Sequence, residues 1–441
     1  MTHTIHALAS GALPAGVAVI RVSGPLVPSL AAGWIGRPLA PRTATLVALR
    51  GAEGNVLDEA LAIPFPAPRS FTGEDVLELH CHGGPAVVRA VERRLTELGS
   101  RAAEPGEFTM RAHANGRIDL MGAERLADLI DAETEAQRAM AASDGGRRNA
   151  ALYEAWRLAL LDARALLEAS IDFADEDDAP ADVSDEIDAL LNATRSAMVD
   201  HLAGASAVAI VRRGMRVVLA GAPNAGKSSL LNALSGTDAA IVTDVPGTTR
   251  DALDVPLDAG GYKVVVTDVA GLRDTDDAVE RIGVERARAR IAAADLVLEC
   301  VPADATLPTL STLPIDAGAN VGGIMPPVVR IRTKCDLVRS GELGDGRLAV
   351  SARTGEGVNE LLALLAARAR DAAAPAAGAP LAERHAGHVA RALDHLAVAD
   401  LQPEIVAERV RLAADEIGRI TGATDIEDVY GTIFSRFCIG K

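Results

Sequence analysis

The chain has 441 residues, 49% of them hydrophobic and 2% aromatic, and a net charge of −17. That length exceeds a single ordinary core and predicts roughly two to four domains. The acidic balance argues against a broad nucleic-acid grip, which needs clustered Lys and Arg, so any RNA contact must be local or shared with a partner.

The opening stretch MTHTIHALASGALPAG lacks the basic-then-apolar order of a secretory signal. No apolar run in the chain reaches the ~18 residues that a bilayer span needs. Residues 1 to about 115 carry short β-like runs broken by Gly and Pro: VAVIRV, TLVALR, ALAIPFP and DVLELHCHGG. They predict an α+β domain. From 116 to 212 the texture is helical, with Leu, Ile and Ala at helix spacing and charged opposite faces. The acidic run DFADEDDAPADVSDE at 172–186 reads as a solvated loop and helix start. Residues 213–370 alternate strands and helices (RVVLA, DVPL, YKVVVTDVA, ADLVLECV, VVRIRT, RLAVS), and 302–327 read as a surface excursion between two of the strands. DAAAPAAGAP at 371–380 reads as a linker. Residues 381–441 are helical again and too short for a core of their own. The expectation is a multidomain α/β chain: an N-terminal α+β domain, a discontinuous all-α domain, and an inserted Ras-like P-loop domain with a mixed, mainly parallel sheet.

Of 44 Lys and Arg residues only four are lysine: Lys227, Lys263, Lys334 and Lys441. A surviving lysine marks a place for a compact ammonium where a planar guanidinium does not fit. Lys263, in a strand-like run, is the one without a motif. Cys81, Cys300, Cys335 and Cys438 are widely spaced with no CxxC pair. That spacing predicts a reducing cytoplasm rather than a disulfide framework or zinc site.

RVVLA-GAPNAGKS-SLLNAL is strand, glycine loop, helix. Gly221 and Gly226 let backbone N–H groups cradle phosphate oxygens at a helix N-terminus, across Asn224, Ala225, Gly226, Lys227, Ser228 and Ser229. Lys227 is expected on the outer phosphates and Ser228 on Mg²⁺. Asp268 ends an apolar strand and, with Val269, Ala270 and Gly271, forms the D-x-x-G turn that meets the γ-phosphate. Between them lies TDVPGTTRD, with Thr243, Asp244, Val245, Pro246, Gly247, Thr248 and Thr249, of which Thr249 completes the Mg²⁺ shell. Thr333, Lys334 and Asp336 of TKCD follow a strand. A carboxylate there accepts both guanine N1–H and the 2-amino group, whereas adenine offers no such donor pair. Ser351, Ala352 and Arg353 of SARTG supply a backbone N–H for guanine O6. The expected nucleotide is therefore GTP. Order and spacing resemble translation-factor-class GTPases, with Thr333 standing where that superfamily usually has Asn.

Many GTPases orient the attacking water with a Gln after the D-x-x-G glycine. Here that residue is Leu272, which cannot hydrogen-bond. Asn224 and the carbonyl-rich segment 243–248 can chelate K⁺ beside the phosphates, or Asn224 can simply hold the loop turn. Glu280 is placed to position water through an intermediary.

Outside this module, SFTGEDVLELHCHGG (70–84), EPGEF (104–108), the helices and the terminus FCIGK resemble the MnmE (TrmE) family of tRNA-modification GTPases over nearly the whole chain. The resemblance implies a cytoplasmic, K⁺-stimulated GTP hydrolase. It acts with the flavoprotein MnmG (GidA), as a homodimer and then a heterotetramer. Its product is an aminomethyl-type (carboxymethylaminomethyl) group at C5 of the wobble uridine of certain tRNAs. A tetrahydrofolate derivative (5-formyl or 5,10-methylene) in the N-terminal domain supplies the carbon. It implies K⁺ ligands Asn224, Thr243, Val245 and Thr248, catalytic Glu280, a functional Cys438, and folate contacts Arg21, Glu78, Arg117 and Lys441. Taken alone, Arg21 and Glu78 read as strand-surface charges, and Cys438 as a buried thiol. Two departures stand out: the early ALPAGVAVIRV stretch is shorter than the family's Gly-rich opening, and DVAG replaces the usual DTAG. The rival expectation is a GTP-switched RNA-assembly or signalling protein without folate chemistry.

Overall fold

A computed structural model describes residues 3–172, 184–241, 254–268, 289–305, 326–338, 346–376, 378–380, 382–397, 402–424, 437 and 440. The chain divides into two compact units: 1–130, 150–191 and 394–441 form one, and 131–149 and 192–393 the other. Among the described residues no helix is long and apolar enough to cross a membrane.

The first unit is built on a six-stranded sheet in the order β3-β4-β5-β2-β1-β6. Its strands are β1 (Ile5–Leu8), β2 (Ala15–Ser23), β3 (Thr45–Arg50), β4 (Val56–Phe65), β5 (Val76–Gly83) and β6 (Arg101–Ala102). All neighbours are antiparallel except β1 and β6. A short helical turn, α1 (Val27–Ser29), follows β2. Alternation along β2 and β5 turns Ala18, Ile20, Val22, Leu77, Leu79 and Cys81 to one buried face. Helix α2 (Pro85–Glu97) covers it. Pro85 starts that helix after Gly84, and Val88, Val91 and Leu95 recur on one side at helix spacing. Helices α3 (Glu107–Ala114) and α4 (Leu120–Ile130) follow, and Phe437 packs on Leu120, Ala123 and Ala127 of α4.

The second unit holds α5 (Glu135–Ala142), the first turn of α6 (Gly145–Asp172), most of α7 (Ser184–Leu202) and α8 (Ala205–Arg213). Its six-stranded sheet runs β12-β11-β10-β7-β9-β8. The strands are β7 (Met215–Ala220), β8 (Asp254–Ala259), β9 (Tyr262–Asp268), β10 (Leu296–Pro302), β11 (Val328–Thr333) and β12 (Ala349–Val350). Only β8–β9 is antiparallel. β10 is buried along nearly its whole length, as a central parallel strand covered on both faces must be. Helix α9 (Lys227–Ser235) buries Leu230, Leu231 and Leu234 on this sheet, and α10 (Val358–Ala373) buries Leu361, Leu365, Ala366 and Ala369.

Alanine-rich 371–376, expected as linker, continues α10 to Ala373 and then forms a 3₁₀ turn. Alanine loses least on entering a helix, so the run extends it. Helix α11 (Glu383–His395) falls almost wholly in the second unit and α12 (Pro403–Thr421) in the first. α12 starts on Pro403 and stops at Gly422, whose φ of 84° is glycine's to adopt.

Candidate functional site

β7 ends at Ala220 and the chain turns through Gly221 (φ 139°), Asn224 (φ 64°) and Gly226 (φ 88°) into α9. A Cβ on Gly221 would lie 2.4 Å from the Cys300 carbonyl oxygen of β10, so this close approach requires glycine. Left-handed residues beside a helix N-terminus turn successive N–H groups inward, which makes an anion-binding concavity. Lys227 is 5% exposed, and its Nζ donates to the carbonyls of Gly221 and Ala222, each at 2.9 Å. An ammonium has three donors, so one remains for a phosphate oxygen. Ser228 Oγ donates to Asp268 Oδ2 at 2.5 Å, and Asp268 is buried at the end of β9. Hydroxyl and carboxylate thus converge where a phosphate-bound Mg²⁺ needs oxygen ligands. These residues fit GTP and Mg²⁺.

Two strands from β7, β11 ends on Thr333. Thr333 Oγ1 donates to the Ala225 carbonyl at 2.5 Å, tying the TKCD turn to the glycine loop. Lys334 has φ 57°, and its side chain passes beside Gly226, 3.7 Å from where a Cβ there would sit. A cavity of about 300 Å³ opens here, lined by Gly226, Ser229, Thr333, Lys334, Asp336, Ala352 and Arg353. Asp336 Oδ1 accepts from Ser351 Oγ at 2.7 Å, and Arg353 Nε lies 3.7 Å from Oδ2. Ser351 Oγ also accepts the N–H groups of Arg353 and Thr354, at 3.3 and 3.2 Å. The SARTG turn is thereby tethered to Asp336, the carboxylate expected to meet the base. Residues 243–249, Val269, Ala270, Gly271, Leu272 and Glu280 lie outside the described residues, so the expected K⁺ ligands other than Asn224 do too.

A second cluster lies on the first sheet. Arg21 on β2 and Glu78 on β5 are cross-strand partners. Arg21 Nε and Nη2 donate to Glu78 Oε1 at 3.1 and 3.0 Å, and the pair is about one-fifth exposed. The guanidinium stands over the rings of Phe71 (5.2 Å) and Phe108 (5.8 Å). His80 Nε2 is 3.5 Å from Glu78 Oε2. Arg117 is exposed, its stem beside Gly73. A carboxylate, a cation and two rings on one patch suit a flat heteroaromatic N–H donor, so they fit a pterin. Cys438 and Lys441 lie outside the described residues. Gly440 is described, and it meets the Leu8 carbonyl so closely that a Cβ would lie 2.0 Å away. Leu8 ends β1 and pairs with Ile20 of β2, so Gly440 lies against the strand next to the one that bears Arg21.

Sequence reasoning missed the support beneath Arg21. Arg111, 1% exposed, donates to Glu74 Oε2 (3.0 Å) and Glu107 Oε1 (2.8 Å). Ser23 Oγ donates to Glu74 Oε2 at 2.8 Å and shares a hydrogen bond with Thr72 Oγ1 at 2.7 Å. Burial alone would raise the Glu107 carboxyl, but hydrogen bonds from Arg101, the Glu104 N–H and Arg111 bring it down to about 2. A signal was available: phenylalanine is scarce here, with six in the chain, and two of them sit under Arg21.

A glycine loop and buried lysine at the end of β7, with Asp336 lining a cavity two strands away, give the second sheet the arrangement of the G domain of a P-loop GTP-binding protein. The family models extend this to both units. "GTP-binding protein TrmE N-terminus" matches residues 4–117 and "MnmE helical domain" matches 120–438. A tRNA modification GTPase MnmE from Mesorhizobium japonicum is 48% identical over 449 aligned positions, covering 99% of both chains. Proteins of the same name from Brucella melitensis (99% of this chain, 98% of the relative) and Sinorhizobium medicae (100% and 99%) are each 46% identical. The chain belongs to the MnmE (TrmE) family.

Proposed function

We propose that this chain is a GTP-hydrolysing tRNA-modification enzyme. With the flavoprotein MnmG it installs a carboxymethylaminomethyl-type group at C5 of the wobble uridine of certain tRNAs, using carbon from a tetrahydrofolate derivative. The observation that carries this reading is the Arg21–Glu78 pair over two phenylalanines, in a chain that also has the Lys227 loop and the Asp336 pocket.

On this reading, Lys227 and the loop N–H groups hold the phosphates, and Ser228 and Thr249 face Mg²⁺. Asp336 accepts the two guanine donors once Ser351 and Arg353 yield its oxygens. Asn224, Thr243, Val245 and Thr248 hold K⁺, whose charge offsets the negative charge that develops on hydrolysis. Glu280 orients water where Leu272 cannot. Glu78 accepts pterin N–H groups, Arg21, backed by Phe71 and the buried Phe108, presents its guanidinium beside the ring, and Arg117 and Lys441 meet the acidic tail. Cys438 serves the modification reaction as its functional cysteine. Homodimerisation through the N-terminal domain and a heterotetramer with MnmG complete the assembly in the cytoplasm.

The test is reconstitution. The full chain, MnmG, GTP, K⁺, methylene-tetrahydrofolate and unmodified tRNA, with glycine or ammonium as second donor, should give modified wobble uridine by nucleoside mass spectrometry. E78Q should abolish modification and folate binding while GTP hydrolysis continues. GTP hydrolysis without folate binding in the unaltered chain would sink this reading in favour of a bare GTP switch.

A further inference from the structure

The second sheet has an end far from the nucleotide, and that end is fastened to a helix. β8 leaves the segment that contains Thr249, and β9 leads into Asp268 and Gly271. The hairpin they form therefore joins the two segments assigned to the γ-phosphate. Its tip is Gly260–Gly261.

Helix α5 grips this tip. The Ala136 N–H donates to the Gly261 carbonyl at 2.9 Å. The Glu133 carboxylate accepts a hydrogen bond from the Lys263 ammonium. Gln137 is 8% exposed and works in two directions. Its Oε1 accepts the N–H groups of Glu133 (2.8 Å) and Thr134 (3.1 Å), closing the capping box that starts α5. Its Nε2 donates to the Arg212 carbonyl at 2.9 Å. Arg212 lies in the last turn of α8, just before β7 and the phosphate loop. One helix start thus holds both the switch-bearing hairpin and the root of the phosphate-loop strand. Lys263 is one of only four lysines, and its stem lies against Gly214, where a Cβ would meet Lys263 Cγ at 2.8 Å. The crowding explains the compact ammonium there. Beyond Ser143 and Asp144 the chain enters α6, 28 residues long and continuous from the second unit into the first.

We propose that Glu133, Gln137 and Lys263 are positioning residues. They form a latch that passes the nucleotide-dependent movement of the β8–β9 hairpin to α5, and through the covalent chain to α6. This rests on the functional reading above and deepens it. A seven-residue paired strand is stiff, so a displacement at Asp268 reaches Tyr262 as a slide of the whole hairpin. The two contacts with the hairpin, Ala136 to Gly261 and Glu133 to Lys263, oblige the start of α5 to follow, and Gln137 holds that start together and ties it to the Arg212 carbonyl. None of the three latch residues touches a nucleotide-site residue, so loosening them leaves hydrolysis intact and disconnects its consequence.

The experiment uses the full chain with MnmG and compares K263E, E133K, the K263E/E133K double variant and Q137L. Single charge reversals should lower tRNA modification by about fivefold or more while GTP hydrolysis stays within about twofold. The double variant should restore modification. In parallel, hydrogen exchange of residues 135–142 should differ between GDP and a non-hydrolysable GTP analogue in the unaltered chain, and K263E and Q137L should erase that difference. Equal losses of hydrolysis and modification, no rescue by the double variant, or nucleotide-independent exchange in the unaltered chain each overturn the latch. An unaltered chain that leaves tRNA unmodified overturns the functional reading instead, and the exchange comparison still decides the latch.

Discussion

Thr333 shows how much one side chain's geometry changes what its chemistry means. Against the Asn usual at this position, a hydroxyl offers fewer bonds, which suggested looser guanine selection. Its single bond goes to the Ala225 carbonyl, so it braces the phosphate loop against the base turn. T333V would leave that buried carbonyl without its donor, at a cost of ~1–3 kcal/mol. GDP affinity should fall about tenfold by calorimetry, with T333S close to the unaltered chain. On the proposed function, Asp336 carries selectivity itself. D336N exchanges an acceptor for a donor, so binding should shift from guanine toward xanthine nucleotides, which carry a carbonyl in place of the 2-amino group. Undiminished GTP preference in D336N would count against the cavity as the base site. Thiol reactivity follows from burial: it pushes Cys81 and Cys300 up to about 12 and raises Cys335 as well. Alkylation of the native chain at neutral pH, read by peptide mass spectrometry, should spare all three.

Between residue and molecule, α3 is the element with the most at stake electrostatically. Glu107 in its first turn and Arg111 one turn later are both buried, and Arg101 and Glu74 complete the chain of ion pairs. The Glu107 carboxyl titrates near 2 in the folded protein, below its ordinary 4.5. It therefore contributes stability that is complete above about 4.5 and is lost as pH falls from there toward 2. The contribution is up to about 3 kcal/mol. Denaturant melts at descending pH should show a steep acid limb that E107Q flattens, and an unchanged limb in E107Q would assign the acid transition elsewhere. Loss of this network also lets Phe108 move from under Arg21, so on the proposed function folate affinity should fall with it. Elements were legible where local pattern suffices: VAVIRV, TLVALR and VVRIRT are strands within a residue or two of their expected limits. β1 and the two-residue β6 were not recognised. Ile5–Leu8 is too short to show a period, and β6 exists only because β1 accepts it in parallel.

Across the whole molecule, the net charge of −17 bears on tRNA. On the proposed function, most of the phosphate-contacting surface belongs to MnmG. The chain alone should bind tRNA weakly at physiological salt, with tight binding and a steep salt slope appearing only with the partner. Tight binding by the chain alone in a mobility-shift titration would contradict this. On the same reading, replacing K⁺ with Na⁺ should slow GTP hydrolysis several-fold, because Na⁺ is too small for the oxygen cage proposed to hold K⁺. Equal rates in the two salts would remove the cation from the mechanism.

Motifs that work through their own backbone were already decided in the amino-acid order. The glycine loop needs Gly221 and Gly226 at fixed offsets from a lysine, and the local steric demand that makes those residues necessary also makes them visible. Sites assembled from remote segments were decided only by folding. Arg21 meets Glu78 through strand register, Gln137 meets the Arg212 carbonyl across 75 positions, and Asn149 donates to the Ala379 carbonyl across 230. Such contacts depend on which strands pair and which helix end lies over them, and a pairing between distant segments leaves no periodic trace in either one.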